Sequence, residues 1–222
     1  MIRFTKVILS VAIMGSLFRC TYSKEEKSNI NDLPQYLDGN DSEYLVNEEG
    51  ERIDLVSFQT EDGQKTVQKI EKYADDLSFR LEKISPAIYL TKNGLNGEEF
   101  EKALNETSTE LIFYFHINSN LSEQSVSDLY SSDEQGFANY LSFDIYQDFQ
   151  LITNDGDSLS ADYSMYVNDG GLESSEKVSI FFSSVQQNEE FRILYQDSFF
   201  GKGDFSFSFA SNEKIKNLNN PT

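Results

Sequence analysis

Phe205-Ser206-Phe207-Ser208-Phe209 alternates ring and hydroxyl without a break, and such spacing gathers its apolar residues on one face only as a β-strand. Five more segments repeat the period of two. Leu111, Phe113, Phe115 and Ile117 share one parity, as do Leu141, Phe143 and Ile145, running on to Phe149 and Leu151. Ala161, Tyr163, Met165 and Val167 follow, then Val178, Ile180 and Phe182, then Phe191, Ile193 and Tyr195. Asn154-Asp155-Gly156, Asn168-Asp169-Gly170-Gly171 and Gly201-Lys202-Gly203 punctuate them as turns. Alternation with one polar face predicts antiparallel sheet that is wet on one side. Two such sheets face to face make a β-sandwich of immunoglobulin-like size; a small antiparallel β-barrel with a helix is the alternative. With 18 Phe, no Trp and one Cys, the core must be built from Phe rather than from a tryptophan and a disulfide.

The first half of the domain reads differently. Arg52 to Phe58 forms a strand that ends at Glu61-Asp62-Gly63. Val67, Ile70, Tyr73, Ala74, Leu77, Leu81 and Ile84 then recur at spacings of three and four, which predicts one covering α-helix near residues 64–84, stopped by Pro86. Phe79 falls off that stripe and keeps a strand through residues 78–81 open. Residues 87–91 read as a short buried strand, and 98–106 as a helix turning Phe100 and Leu104 inward. A single mainly-β domain over 51–212 results, helix-containing to 106 and strand-rich over 109–210, with a polar tail at 213–222.

Ahead of it, residues 21–50 are rich in Ser, Asn, Asp and Glu and lack a sustained apolar period, the composition of a flexible tether. Before that, Arg3 and Lys6 precede an apolar run from Val7 to Phe18 that is too short to span a bilayer, which takes about 20 residues. A basic start with a run of this length is the pattern of a secretory signal peptide, here residues 1–19. Cys20, the only cysteine, stands at its end.

Leu17 three positions before Cys20 resembles the lipobox of bacterial lipoproteins, although Phe18 and Arg19 occupy places usually held by small residues. Lys24-Glu25-Glu26 resembles the lysine-and-two-acids export signal that follows the cysteine in lipoproteins of one group of diderm bacteria. The resemblance covers about the first 27 residues. It implies acylation of Cys20, palmitate included, and a lipid-anchored protein of the outer membrane, at the cell surface if the export signal is read; a periplasmic or secreted protein is the alternative.

Lys+Arg total 18 against Asp+Glu 38. Removing residues 1–19 takes away Arg3, Lys6 and Arg19 and no acid, leaving 15 basic residues against 38 acidic ones and a net charge of −23. That balance argues against nucleic-acid binding, which needs clustered cations, and against adsorption to anionic lipid. Attachment to a membrane is therefore expected through acyl chains, two or more of which hold stably.

Motifs for chemistry are scarce. His116, the only histidine, has the parity of Tyr114 and Asn118 and is expected on a wet sheet face. Two carboxylates suffice for glycoside hydrolysis, but 38 acids single out no pair; Tyr44, Tyr130, Tyr140 and Tyr166 are the tyrosines that can offer a sugar platform. Asp38 to Glu49 echoes a calcium loop but puts Glu43 where glycine is required, and Asn154-Asp155-Gly156-Asp157 with Asp162 reads equally as a hairpin. No catalytic, metal or cofactor residue is assigned. The expected function is a lipid-anchored binding or assembly module with a protein or glycan partner. A carboxylate-based polysaccharide hydrolase and an acidic lipoprotein masking a basic protein are the alternatives.

Overall fold

The computed structural model describes residues 43–46, 50–60, 63–121, 124–166, 175–183 and 190–211. Strands β1 (Glu43–Val46), β2 (Arg52–Thr60), β3 (Gly63–Ala74) and β4 (Leu77–Ile84) come first, then helices α1 (Pro86–Lys92) and α2 (Gly97–Thr107) and strand β5 (Leu111–Ser119). Two short helices, α3 (Val126–Leu129) and α4 (Glu134–Asn139), precede β6 (Phe149–Thr153), β7 (Ser158–Ser160) and β8 (Tyr163–Tyr166). Strands β9 (Ser175–Phe182), β10 (Phe191–Gln196) and β11 (Asp204–Phe209) are the last elements of the described residues.

The strands form two antiparallel sheets, ordered β1-β2-β3-β4-β5-β9-β8 and β11-β10-β6-β7. Neither closes into a barrel: each is bounded by edge strands among the described residues. The sheets pack as a sandwich around the phenylalanine core that the alternation predicts. Phe113 meets Phe191 and Phe209 at centroid distances of 5.9 and 5.3 Å, and Phe115 meets Phe149 and Tyr195 at 5.0 and 4.8 Å. Large rings supply the most apolar area per residue, and tilted or edge-on pairs add about 0.5–1.5 kcal/mol each beyond burial.

The helix expected over residues 64–84 is instead the β3–β4 hairpin. Its two-residue turn puts Asp75 at φ 51°, a left-handed conformation that aspartate tolerates. The apparent stripe mixes two faces. Ile70, Leu77 and Leu81 point into the sandwich, whereas Val67 and Ile84 join Phe58, Ile88 and Ile112 on the outer side. Phe79, off the stripe, is fully buried, and Tyr73, on it, is 72% exposed. β3 buries Val67 and Ile70 on opposite faces, which breaks its alternation, and a chance spacing of three and four carried the helical pattern across the Leu77, Phe79, Leu81 alternation of β4.

Residues 87–91 are helical, not a strand. Ser85 accepts a hydrogen bond from Ile88 N at 3.3 Å, and Pro86 takes the first helical position, where its missing N–H costs nothing. The proline starts a helix rather than ending one. Leu141, Phe143 and Ile145 are not on a strand either. From α4 the chain runs through a π-turn at Tyr140–Asp144 and a 3-10 turn at Ile145–Asp148, so Leu141 and Ile145 are buried four residues apart while Phe143 is 69% exposed. The sheet also begins earlier than composition implies, since β1 pairs with β2 inside the segment read as tether.

The wet-face expectation holds for β10, whose residues alternate between buried and less buried, and fails for β5, buried over its first seven residues. The reason is a second layer: α1 covers one end of the outer face through Ile88, and α2 packs on α1 through Ala87, Leu90 and Phe100.

Candidate functional site

Beyond the helix-covered end, the outer face of the large sheet turns polar in register. One cross-strand row runs Lys69, Glu82, Tyr114, Ser179; the next runs Glu71, Arg80, His116, Lys177. Directly opposed side chains in such rows stand about 4.5–5.5 Å apart at Cβ, so hairpin register alone brings these charges together. From above, Lys92 in the last turn of α1 lays its ammonium 4.8 Å from the Phe58 ring centroid and 5.2 Å from that of Tyr114, and Lys177 lies 4.8 Å from Tyr114.

Glu82 is the anion at the centre. Its side chain is 5% exposed, and one oxygen, Oε1, has Lys69 Nζ at 3.1 Å, Arg80 Nε at 3.1 Å and His116 Nε2 at 3.7 Å. Burial by itself raises a carboxyl, but the His116 ring and the charges of Lys69 and Arg80 outweigh it and hold Glu82 at about 2. It is a fixed negative charge at neutral pH and no proton donor. Burial depresses the His116 imidazole; Glu82 opposes this, while Arg80 and Lys177 reinforce it, so the ring is biased to its neutral form. Lys92 is lowered by burial too, against the pull of Glu82 and with the repulsion of Lys177, Lys69 and Arg80. Four cations therefore sense one another around one shared carboxylate.

Hydrogen-bonding capacity is left over. His116 is buried, and neither ring nitrogen has a hydrogen-bond partner; Arg80 Nε is likewise without one, its contact with Glu82 being ionic. Buried polar groups are nearly always satisfied, so such exceptions call for an explanation. The nearby acids are committed elsewhere: Glu71 accepts from Tyr73 Oη at 3.0 Å and Ser78 Oγ at 2.9 Å, and Asp54 holds Arg52 Nε at 2.6 Å.

His116 has the outward parity expected of it but is buried beneath these cations rather than being a surface residue. Lys69, Arg80, Glu82, Lys92 and Lys177 were not legible as a group, because a helix over 64–84 scatters the first three along its solvent side. Read as a hairpin, the same residues become direct neighbours. Cys20, Lys24, Glu25 and Glu26, and the Asp38 and Glu49 ends of the possible calcium loop, lie outside the described residues. Asn154-Asp155-Gly156-Asp157 is the β6–β7 turn, with Thr153 N donating to Asp157 O at 2.9 Å, and Asp162 instead accepts from Ser183 N at 2.6 Å. Gly201-Lys202-Gly203 is also a turn, with both glycines at positive φ.

The four tyrosines do not make one platform. Tyr44 is exposed, Tyr166 donates to Glu176 Oε2 at 2.6 Å, and Tyr130 stacks on Phe137. Tyr140 is buried and hydrogen-bonded to Asp148 at 2.7 Å and to Tyr195 at 3.0 Å. A second acidic locus is Glu110, raised by burial and then by the charge of Asp162, next to Tyr163, whose phenol burial pushes up to about 12. No family model, no curated protein and no solved structure matches this chain.

Proposed function

We propose that this chain is an exported, lipid-anchored cell-envelope protein whose sandwich works as a binding module, using the outer face of its seven-stranded sheet. The observation that carries the reading is the cluster around Glu82: in a chain of net charge −20, four cations and the only histidine converge on one face, with hydrogen-bonding groups still unspent. Electrostatic complementarity of this kind steers encounter and selects partners. The anchor rests on Cys20 after its short apolar run, and among the described residues no helix is long and apolar enough to cross a membrane. The carboxylate-based hydrolase is the second reading, with Glu110, raised by burial and by the charge of Asp162, as its candidate acid.

The test has two parts. In a diderm host, an alkynyl fatty acid should label the wild type, and Cys20→Ser should lose the label and leave the membrane. The released Cys20→Ser chain should then capture an envelope component that a Lys92→Gln/Lys177→Gln derivative does not. Unlabelled wild type sinks the anchor. Equal capture by both chains sinks the binding face. Glu110→Gln should leave capture unchanged, and loss of a polysaccharide-degrading activity in that variant would favour the hydrolase.

A further inference from the structure

The cluster's chemistry narrows what it can take. Lys69 from β3 and Arg80 from β4 meet at Glu82, Lys177 from β9 and Lys92 from α1 reach over Tyr114 directly opposite it, and His116 of β5 lies between them. The anions facing it are Glu82, whose Oε1 is shared by three partners, Glu71, already accepting from Tyr73 and Ser78, and Asp54, paired with Arg52. Cations held this close repel one another, and the single shared oxygen leaves Arg80 Nε and both His116 nitrogens without a hydrogen-bond partner. A second carboxylate oxygen set, or the oxygens of a sulfate or phosphate, would answer them.

We propose that Lys69, Arg80, Lys92, His116 and Lys177 form a binding site for an oxyanion: a sulfate, phosphate or carboxylate, free or carried on an acidic saccharide. This deepens the reading of the outer sheet face as a binding surface and names the chemical class it accepts. The anion sits above Glu82 and completes the set of acceptors that Glu82 begins. Guanidinium and ammonium groups supply charge-assisted bonds, which are about twice as strong as neutral ones. Tyr114, beneath Lys92 and Lys177, holds both ammonium groups against its ring face. The neighbouring row of Ser78 and Asn118, linked at 3.4 Å, offers hydroxyl and amide groups beside the charge, as a sugar acid needs.

The single histidine makes the test direct, because the full chain, purified without a histidine tag, carries one imidazole signal. The His116 ring is followed by NMR during titration with sodium sulfate, with sodium phosphate and with oligogalacturonate, each against sodium chloride at equal ionic strength. A saturable change with the oxyanions and not with chloride is expected, together with a rise of the His116 pKa by about half a unit to one unit, because a bound anion favours the imidazolium. Lys177→Gln should weaken binding about tenfold, as loss of one charge-assisted bond implies, and Lys92→Gln should repeat this from the helix side. Melting curves establish that both variants are folded. Stronger binding of oligogalacturonate than of the inorganic ions identifies a saccharide acid as the source; equal binding identifies a small free anion. A response that matches chloride overturns the site, and so does a saturable response that both variants retain. Failure here with envelope capture intact removes the oxyanion and keeps the binding module; the opposite pattern keeps the site and removes the module.

Discussion

Gln68 and the backbone of Ala210 pair like two strands: Gln68 Nε2 donates to Ala210 O at 3.0 Å, and Ala210 N donates to Gln68 Oε1 at 3.0 Å. Both residues are buried, 142 positions apart in sequence. The amide side chain projects from β3 into the sandwich and satisfies the peptide groups just beyond β11. One side chain thus joins the large sheet to the end of the small one, where no strand is available to do so.

Gln68→Leu should therefore cost more than a surface change of the same size. Two buried backbone groups lose their partners at about 1–3 kcal/mol each, partly offset by the apolar replacement, so a loss of about 2–4 kcal/mol is expected. Gln68→Glu keeps the acceptor for Ala210 N but sets a carboxylate oxygen against a carbonyl, and it should be worse at pH 7 than at pH 4. Thermal melts at the two pH values check both, and a melting temperature unchanged in Gln68→Leu overturns the role.

Parity decides the weight of each residue in β11. Phe207 is fully buried opposite Ile193, so Phe207→Ala should cost about 3–5 kcal/mol through lost transfer energy and a cavity. Ser206 faces the other way, opposite Leu194, and its buried Oγ has no partner, so Ser206→Ala should fall within about 0.5 kcal/mol of the wild type or stabilise it. Urea unfolding of the two variants separates them; similar losses would mean that both faces of β11 are core.

How much of this was legible depends on whether each strand keeps its apolar residues on one parity. Phe205 to Phe209 and Phe191 to Tyr195 show their alternation because one face of each leads into the core, and Val178 to Phe182, buried on both faces, keeps Val178, Ile180 and Phe182 on one parity. β4, Leu-Ser-Phe-Arg-Leu-Glu-Lys-Ile, is buried along nearly its whole length and carries Arg80, Glu82 and Lys83 between its apolar residues. Leu77, Phe79 and Leu81 alternate there with Ser78, Arg80 and Glu82, but the spacing of three and four that runs on from Val67 and Ile70 overrides this period of two. The charges of β4 are tolerated because neighbours one strand away compensate them, and single-sequence patterning does not carry that information. The candidate site was lost with it, since a helix and a hairpin give Lys69 and Glu82 different neighbours. His116 kept its correct side because β5 was read as a strand.

Lys83 shows the opposite face of the same strand. It opposes Phe113 and Gln68 inside the sandwich, its ammonium lies 4.8 Å from the Phe191 ring centroid, and burial lowers it to about 8. A depressed lysine contributes stability that is present above its unfolded value near 10.5 and is lost as pH falls through about 8. At pH 7 both states are protonated, and the folded protein carries the cost of the buried charge. Lys83→Met should then stabilise by up to about 3 kcal/mol at pH 7, and the gain should shrink above pH 8 and be gone near 10.5. A variant less stable than the wild type at pH 7 would show that the ammonium is a net stabiliser of the core.

Glu82 gives the corresponding prediction on the acid side. Its folded value of about 2 lies below the ordinary 4.5, so its contribution is complete above 4.5 and disappears as pH falls toward 2. His116, depressed by burial, acts in the same direction: its contribution is complete above 6.5 and is lost as the folded ring is forced to take a proton at lower pH. The wild type should therefore lose stability on acidification in two stages, first through His116 and then through Glu82. Glu82→Gln removes the second stage and leaves Lys69 and Arg80 around a neutral amide. Breaking a buried pair from one side costs about 3–5 kcal/mol, and the shift of Glu82 corresponds to about 3 kcal/mol, so the variant should be less stable by roughly 3 kcal/mol at pH 7. As pH falls below 4.5 the wild type gives up that advantage, and the two stability curves should meet near pH 2. Urea titrations at pH 7, 5, 3.5 and 2.5 trace the approach. Equal stability at pH 7 would show that the cations do not depend on Glu82, and a gap that persists undiminished at pH 2.5 would show that its effect is packing rather than charge.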